Sequence, residues 1–279
     1  MTTVTAVRKV WFITGASRGF GQLWALAALA RGDKVAATAR DVDSLQPLVE
    51  KYGTAVLPLQ LDVTDREAVF AAVAQVKQKF DRIDVILSNA GYGHQGAVEE
   101  ISESEAREQM DTNFFGTMWV AQATLPILRA QKSGHLLAVS SVLGVFSAPT
   151  FGMYSASKFA LEGLFEAMSQ EVGASGIKVT LIEPAGYATD FNNPSSAKYS
   201  DPIPAYNPVR DGLAKAFEGY KFGDPSATAA VILKVVDAPK PPLRIALGAS
   251  AVDEVSGVYK DKLATWEAWR AVSASAQGN

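Results

Sequence analysis

The chain contains no cysteine and only two histidines, His94 and His135. Without a thiol it can form no disulfide, no thiol nucleophile and no cysteine-ligated metal site, and this composition suits a reducing compartment. Two histidines are too few to favour a histidine-based metal centre or a hydrolase that uses a histidine base. We therefore predict a cytoplasmic protein that binds no metal ion.

Long apolar runs and blocks of like charge are also missing. No run of about 18 apolar residues could span a bilayer, and residues 1–9 lack the apolar segment of a signal peptide. A net charge of −3 and the lack of a basic block argue against a nucleic-acid partner. Apolar residues nevertheless make up 48% of the 279 residues, which is ample for a buried core. We expect neither a membrane nor a nucleic acid as a partner.

Glycines follow the first apolar run of the sequence. The apolar residues 10–14 are followed by the turn GASRGFG at residues 15–21 and then by a helix-like segment at 22–31. In this order, Gly15 permits a tight turn, while Gly19 and Gly21 let the backbone and the helix approach a diphosphate at the helix N-terminus. Strand, glycine turn and helix together predict a dinucleotide site.

The end of the second predicted strand, residues 34–40, bears on which nicotinamide dinucleotide binds. An acid at this position binds the ribose 2′-hydroxyl, whereas a basic group accommodates a 2′-phosphate. Arg40 ends the strand and Arg18 lies in the glycine turn, so two guanidinium groups could hold the phosphate. These residues favour NADP(H) over NAD(H). Asp41, one residue further on, keeps the NAD(H) alternative open.

Strand and helix patterns alternate along most of the chain. Further strands are predicted at 56–61, 84–87, 135–139, 177–182 and 244–247, and helices at 65–80, 102–130, 154–172, 225–238 and 253–272. This rhythm predicts an α/β fold with a single, doubly wound, Rossmann-type parallel sheet flanked by helices on both faces. Because no linker rich in proline, serine or one charge occurs before residue 190, we expect one domain over residues 1–279.

The residues best suited to chemistry are Tyr154, Lys158 and Ser141. On a helix, the i,i+4 spacing places the phenol and the ammonium on one face, where the cation favours the phenolate and lowers the tyrosine pKa. Ser141, at the end of the preceding strand, could bind the same substrate oxygen that the phenol protonates. This arrangement suits the interconversion of a carbonyl and an alcohol. Because Tyr-x-x-x-Lys also occurs by chance in many helices, the interpretation depends on the rest of the chain.

With these motifs in place, the chain resembles the short-chain dehydrogenases/reductases (SDRs), and among them the carbonyl reductases. Residues 14–21 match the family's TGxxxGxG, and residues 89–91 match its NAG motif. A set of four residues matches the family's catalytic tetrad, including the serine-to-tyrosine spacing: Asn113, Ser141, Tyr154 and Lys158. The shared motifs extend from residue 14 to about residue 189.

The resemblance implies a role for each member of the tetrad. Tyr154 would be the general acid in reduction and the base in oxidation, and Ser141 would polarise the carbonyl. Lys158 would lower the phenol pKa and hold the nicotinamide ribose. Asn113 would bend its helix and hold a water that links Lys158 to solvent.

The resemblance also implies a set of cofactor contacts. Asp62 and Val63 would contact the adenine, Asn89 its ribose, and Thr189 the carboxamide. The full set is Gly15, Ser17, Arg18, Gly19, Phe20, Gly21, Arg40, Asp62, Val63, Asn89, Ala90, Gly91, Tyr154, Lys158, Pro184, Gly186 and Thr189. The chain departs from the family at Ser88, which replaces a second asparagine, and at Ala185, which replaces the glycine of PGxxxT. The second departure would shift the turn that carries Thr189.

Substrate specificity is expected from loops around the nicotinamide. Residues 185–223 form a long, proline-containing segment that we interpret as a lid. The predicted substrate pocket comprises Tyr92, His94, Leu143, Phe146, Phe151, Tyr187 and Phe191. Its apolar character suits a hydrophobic ketone, aldehyde or secondary alcohol, although each side chain could instead pack the lid onto the sheet. His94 could line the pocket as a polar contact, although a surface histidine in a glycine-rich loop is the commoner case.

Trp266 and Trp269, on the last predicted helix, suggest an oligomer contact. The resemblance likewise implies a homotetramer or a homodimer.

Three functions fit the sequence. The leading hypothesis is an NADPH-dependent reductase of a hydrophobic ketone or aldehyde, acting reversibly. The second is an NAD-dependent dehydrogenase of a secondary alcohol such as a steroid or a polyol. The third is a sensor that binds the nucleotide without turnover; such proteins often lack the tyrosine or the lysine, and this chain has both.

Overall fold

A computed structural model describes residues 8–189, 191 and 196–278 of the chain. Its strands are β1 (Val10–Ile13), β2 (Lys34–Ala39), β3 (Val56–Gln60), β4 (Val85–Ser88), β5 (Gly93–Gln95), β6 (Gly134–Val139), β7 (Ile177–Pro184), β8 (Ala197–Tyr199) and β9 (Arg244–Leu247). Its helices are α1 (Gly19–Ala30), α2 (Gln46–Tyr52), α3 (Arg66–Phe80), α4 (Glu103–Met110), α5 (Gly116–Gln131), α6 (Gly152–Val172), α7 (Asn207–Ala216), α8 (Thr228–Asp237), α9 (Ala251–Ala268) and α10 (Arg270–Ser275).

Seven strands form one parallel sheet in the order β3-β2-β1-β4-β6-β7-β9. The strand order reverses direction between β1 and β4, because the chain moves outward from β1 to β3 and then crosses back to β4. At such a point the loops at the carboxyl ends of the strands diverge and leave a crevice for a ligand. The predicted α/β fold with a doubly wound parallel sheet is confirmed.

Two apolar layers cover the sheet, one on each face. On one face, Leu136 and Leu181 of the strands pack with Phe165 of α6 and with residues of α3 and α5. On the other face, Trp11 and Trp24 belong to a cluster that includes residues of α1 and α8. Successive side chains of a strand point to opposite faces, so a strand covered on both faces must be apolar throughout. This requirement explains the continuous apolar runs that predicted β1 and β4.

The helix predicted at 102–130 is interrupted by a turn of π-helix at Asp111–Phe115. Its N-terminus has a capping box, in which the Ser102 hydroxyl accepts from the Glu105 N–H and the Glu105 carboxylate accepts from the Ser102 N–H. The π turn adds one residue to the helical repeat, which changes the direction in which Asn113 points. Propensity and periodicity do not predict such a turn.

The segment predicted as a lid contains regular structure that the sequence interpretation missed. Strand β8 pairs in parallel with β5, and helix α7 follows a single 3₁₀ turn at Pro204–Tyr206. Strands of three residues are too short to show a clear alternation, so the sequence pattern could not reveal β5 or β8. The side chain of Glu100 accepts hydrogen bonds from Arg210 of α7 and from the Ile203 N–H, which fixes α7 against the rest of the chain.

The last predicted helix is divided at Trp269 into α9 and α10. Trp266 and Trp269 are exposed, as an intersubunit contact would require, and the oligomer itself stays a prediction. Among the helices that the described ranges contain, none is both long and apolar enough to cross a membrane. The same ranges hold no group of three or more His, Asp or Glu side chains placed to bind a metal ion.

Candidate active site

The glycine turn forms one end of a large cavity at the carboxyl edge of the sheet. Gly15 and Gly19 have φ angles of +66° and +55°, a conformation that glycine adopts without a steric penalty. A Cβ atom on Gly21 would lie 2.6 Å from Asn89 Nδ2 and closer still to the Gly15 carbonyl oxygen. The turn therefore presents the N-terminus of α1 to the cavity, in the arrangement that binds a diphosphate.

Asn89, which follows strand β4, stabilises this turn by hydrogen bonds. Its side-chain amide donates to the carbonyl oxygens of Thr14 (3.1 Å) and Gly15 (2.9 Å). In return, the Thr14 hydroxyl accepts from the backbone N–H groups of Asn89 (3.0 Å) and Ala90 (3.1 Å). Asn89 thus has a structural role that the expected ribose contact alone did not include.

Arg40, Asp41 and Asp62 lie where the strands β2 and β3 end, at the predicted adenosine end of the cavity. Arg40 is exposed and lines the cavity. Asp41 caps the following 3₁₀ turn, because its carboxylate accepts from the Asp43 N–H at 3.1 Å. Asp62 accepts from the N–H and the hydroxyl of Thr64, at 2.9 and 2.8 Å. Asp41 and Asp62 therefore accept hydrogen bonds from their own loops, and both line the cavity together with Arg40.

Tyr154, Lys158 and Ser141 meet in the same cavity, and each is buried, with 6%, 5% and 8% of its surface exposed. The Ser141 hydroxyl accepts from the Leu143 N–H at 3.1 Å, and the Lys158 ammonium donates to the Val139 carbonyl at 2.8 Å. Lys158 Nζ lies 5.7 Å from the centre of the Tyr154 ring. Helix α6 supplies the tyrosine and the lysine, and the end of β6 supplies the serine, as the spacing predicted.

The expected lowering of the Tyr154 pKa is not found in this structure. Burial raises the pKa of Tyr154 to about 12, and a hydrogen bond with the Ser141 side chain acts in the opposite direction. Burial lowers the pKa of Lys158 to about 8, opposed by the Glu162 carboxylate. The desolvation of the phenolate prevails because the Lys158 ammonium is directed to the Val139 carbonyl and not to the phenol oxygen.

Asn113 lies behind the cavity wall and is fully buried. Its amide donates to the Tyr92 carbonyl (3.1 Å) and the Ser157 hydroxyl (3.0 Å), and its side-chain oxygen accepts from the Tyr92 N–H (3.1 Å). A Cβ on Gly91 would lie 3.0 Å from Asn113 Oδ1 and 3.7 Å from Lys158 Nζ, so the three residues are close neighbours. Asn113 sits within the π turn, and its water-holding role stays a prediction.

The remaining predicted residues divide between the cavity and its surroundings. The cavity has a volume of about 1460 Å³. Its lining includes the predicted residues Gly15, Ser17, Arg18, Gly19, Phe20, Arg40, Asp62, Val63, Asn89, Ala90, Gly91, Tyr92, Ser141, Leu143, Phe146, Phe151, Tyr154, Lys158, Pro184, Gly186, Tyr187, Thr189 and Phe191. Gly21 and Asn113 do not line it and act from behind the wall. Thr189 lines it despite the Ala185 departure.

His94 is the one predicted pocket residue that does not line the cavity. It is 1% exposed, its Nε2 lies 2.9 Å from the Ser200 hydroxyl, and the Glu105 carboxylate is 3.6 Å away. Burial lowers its pKa, although Glu105 opposes this. His94 therefore lies neither in the cavity lining nor on the surface, since the pairing of β5 with β8 buries its ring.

The apolar side of the cavity surrounds Tyr154. The ring centres of Phe191 and Phe151 lie 5.4 and 6.4 Å from that of Tyr154. Phe20 of the glycine turn packs edge-on against Tyr187, with ring centres 5.2 Å apart, which joins the two loops. The chemistry of this wall favours an apolar group next to the phenol.

Several lining residues were missed by sequence reasoning. Tyr220 and Phe217 follow α7, and the Tyr220 hydroxyl accepts from the Gly186 N–H at 3.1 Å. Phe217, Tyr220 and Phe222 form an aromatic cluster with ring centres 5.0–6.4 Å apart. The close spacing of these three aromatics within a polar segment was the signal that could have identified them.

A family model described as "short chain dehydrogenase" matches residues 9–200 of this chain. The oxidoreductase BOA17 of Botryotinia fuckeliana is 41% identical over 272 residues, which are 95% of this chain and 98% of that protein. The 3-ketodihydrosphingosine reductase of Bacteroides thetaiotaomicron is 35% identical over 245 residues, 86% of this chain and 88% of that protein. The crystal structure of a short-chain dehydrogenase from Streptomyces avermitilis superimposes with a TM-score of 0.90, at 38% identity, over 96% of this chain and 98% of that one.

Proposed function

This chain belongs to the short-chain dehydrogenase family, and on that premise we propose that it is an NADPH-dependent reductase of hydrophobic ketones or aldehydes, acting reversibly. The observation that carries the proposal is the meeting of Ser141, Tyr154 and Lys158 in the cavity that the glycine turn opens into. When bound, NADPH supplies the hydride.

The residues that would hold the cofactor follow the edge of the sheet. The N-terminus of α1 and the turn at residues 15–21 would bind the diphosphate, because the left-handed glycines and the tight packing of Gly21 bring backbone N–H groups to the cavity. Arg18 and Arg40 would bind the 2′-phosphate. The use of the Asp41 carboxylate as a cap supports NADPH over NADH, since one of its oxygens already accepts from the Asp43 N–H, although Asp41 lines the cavity beside Arg40.

The proton needed for reduction would come from Tyr154. With a pKa raised to about 12, the phenol is protonated at neutral pH and can donate to a carbonyl oxygen. The Ser141 hydroxyl would donate a second hydrogen bond to that oxygen and so stabilise the negative charge that develops on it. Oxidation of an alcohol would use the same phenol in reverse, and the phenolate would then have to form before it accepts the proton.

The substrate is expected to carry an apolar group beside its carbonyl. Phe151 and Phe191 flank the Tyr154 ring, and Leu143 and Phe146 continue the same wall. Such a wall binds a hydrophobic ketone by burial of its apolar surface. The name of the Bacteroides relative, a 3-ketodihydrosphingosine reductase, also supports a ketone on an apolar chain. The lining residues that the structure describes in the 185–223 segment, among them Tyr187 and Phe191, would cover this substrate as a lid.

The proposal is tested by mixing the purified chain with NADPH and a panel of aryl and long-chain alkyl ketones, and following the absorbance of the reduced nicotinamide. We expect turnover of at least one apolar ketone. The variant Tyr154→Phe should lose at least about a thousandfold in kcat while it binds NADPH with an affinity close to that of the wild type. A folded wild-type protein that turns over no ketone would contradict the proposal, and equal loss of binding and turnover in the variant would make Tyr154 a structural residue.

The second candidate, an NAD-dependent dehydrogenase of a secondary alcohol, is supported by the position of Asp41 two residues after the end of β2. In that case the carboxylate would leave its cap and accept from the ribose hydroxyl groups. Titration of the protein with NADPH and with NADH, followed by nicotinamide fluorescence, separates the two candidates. Tighter binding of NADH would favour the dehydrogenase.

A further inference from the structure

Two buried glutamates behind Lys158 have no part in the mechanism above. Glu162 of α6 and Glu183 of β7 are 7% and 3% exposed. Glu162 lies one helical turn after Lys158 and therefore on the same face of α6. A Cβ on Gly144 would lie 3.1 Å from Lys158 Cβ and 3.3 Å from Glu162 Cγ, so the two side chains pass the same glycine.

Glu183 reaches this location from the sheet. Val139 pairs with Ile182, so the next residues, Ser140 and Glu183, are cross-strand neighbours on the opposite face. That face is the one on which Leu181 packs with the residues of α6. Glu183 and Glu162 thus approach each other from the sheet and from the helix that covers it.

Arg244 of β9 is the counterion that both glutamates share. Its Nε donates to Glu162 Oε2 at 2.8 Å and lies 3.6 Å from Glu183 Oε1. Its terminal nitrogen Nη2 donates to Glu166 Oε2 at 2.5 Å. The second oxygen of Glu162, Oε1, and Glu183 Oε1 have no hydrogen-bond partner among the described residues, and neither has the Ser140 hydroxyl. Two buried carboxylate oxygens without a donor are costly, and a proton placed between them would satisfy both.

The charges around the pair agree with one shared proton. Lys158 and Glu166 of α6 face the glutamate pair, and Arg244 faces it from β9. Ser140, which follows β6, adds no charge. With one proton, the pair carries a single negative charge, so the two cations are balanced by the pair and by Glu166. Without that proton, two like charges would be buried side by side, which raises the pKa of one of them. The pKa of Glu183 is raised to about 7 by burial and by the Glu162 carboxylate, against the opposite effect of Arg244.

We propose that Glu162 and Glu183 share one proton at neutral pH, and that the remaining negative charge of this pair keeps Lys158 in its ammonium form. The two glutamates are positioning residues, because they act on the substrate only through Lys158. Burial alone drives Lys158 towards the neutral amine, and Glu162 opposes this. The part of the proposal that concerns Lys158 rests on the proposed function, whereas the shared proton does not.

The shared proton is tested by infrared difference spectroscopy of the purified chain without added ligand. At pH 6 the wild type should show the carbonyl stretch of a protonated carboxylic acid, and this band should disappear as the pH rises through about 7. Glu162→Gln and Glu183→Gln should each lack the band. The control is Glu171→Gln, which removes an exposed carboxylate from the end of the same helix and should retain the band.

A wild type without the band at pH 6, or a band that persists in both variants, would overturn the shared proton. The infrared titration of the wild type tests the shared proton even where a variant does not fold.

The effect on Lys158 is tested by the pH dependence of kcat/KM for ketone reduction. Loss of the charged amine should end activity at high pH, and Glu162→Gln should move this alkaline limb to lower pH by about one unit. The control Glu171→Gln, at an exposed position of α6, should leave the limb unchanged. An unmoved limb in Glu162→Gln would overturn the link to Lys158. If the wild type turns over no ketone, the proposed function fails, and the infrared titration still tests the shared proton.

Discussion

Arg40 and Asp41 are adjacent residues of opposite charge, and both line the cavity. The Asp41 carboxylate also caps the next turn, whereas Arg40 is the basic group available to a 2′-phosphate. The variant Arg40→Ala should therefore raise the KM for NADPH by about tenfold and leave the KM for NADH nearly unchanged, since only NADPH carries the 2′-phosphate. Steady-state kinetics with both cofactors and one ketone measure the difference.

The matched control for this prediction is Arg107→Ala. Arg107 is an exposed arginine of α4 that pairs with Glu103 one turn before it, and it does not line the cavity. The Arg107→Ala variant should change neither the KM for NADPH nor the KM for NADH. An equal rise for NADPH and NADH in Arg40→Ala would mean that Arg40 supports the fold of the loop and does not select the cofactor.

The sequence predicted those site residues whose partners lie nearby in the chain. Tyr154 and Lys158 share one helix, and Ser141 ends the strand before it, so spacing alone brought them together. The burial of His94 was not predicted, because its partner Ser200 lies 106 residues away in the sequence. Glu183 was missed for the same reason, although an acid within the apolar strand β7 was a visible signal.

At the scale of the element, the junction of β1 and α1 depends on the absence of a side chain at Gly21. A methyl group there would meet the Gly15 carbonyl and the Asn89 amide, both of which are held by hydrogen bonds. Gly21→Ala should therefore destabilise the fold by about 1–3 kcal/mol and weaken NADPH binding, because the turn must open to admit the methyl group. Denaturant unfolding and a fluorescence titration of NADPH measure the two effects.

The control for this element is Gly163→Ala. Gly163 lies in the exposed part of α6, and a Cβ there would meet nothing within 4 Å. Alanine has the higher helix propensity, so this variant should be up to about 1 kcal/mol more stable than the wild type, with unchanged NADPH binding. If Gly21→Ala proved as stable as Gly163→Ala, the close packing of the turn would play no part in the site.

Elements with a strong local pattern were predicted, and those that depend on distant packing were not. The parallel strands have continuous apolar runs, and α4 has its capping box, so both were visible in the sequence. The π turn at Asp111–Phe115 brings Asn113 into contact with Tyr92 and Ser157, and these contacts form only after β4 and α6 have packed against it. Strands β5 and β8 likewise exist only as partners of each other.

At the scale of the whole molecule, the alternation of strands and helices predicted a parallel sheet covered on both faces. It did not predict the order of the strands, because alternation alone does not say which strands are neighbours. The two apolar layers also explain why polar residues inside the fold matter for stability. His135 is one of them, since it lies in β6 with 3% of its surface exposed.

His135 is held neutral in the folded protein. Its Nε2 lies 2.9 Å from the Thr180 hydroxyl, and its Nδ1 has no partner among the described residues. Burial, with smaller effects of Lys178 and Lys9, lowers its pKa to about 3. The unfolded chain, with a histidine pKa of about 6.5, binds a proton between pH 6.5 and 3 that the folded protein does not bind. The resulting contribution to stability is complete above pH 6.5 and is lost as the pH falls.

Acid should therefore destabilise the wild type through His135 by about 1.4 kcal/mol for each pH unit below about 6. Glu183 acts in the opposite direction over part of this range, because its pKa is raised to about 7 in the folded state. A comparison with His135→Gln isolates the histidine, since glutamine can still bond to Thr180 and does not titrate. Denaturant unfolding at pH 7.5, 6 and 5 should give a stability difference between the two proteins that shrinks or reverses as the pH falls. A stability difference that stays constant with pH would mean that His135 takes up its proton while the protein is folded.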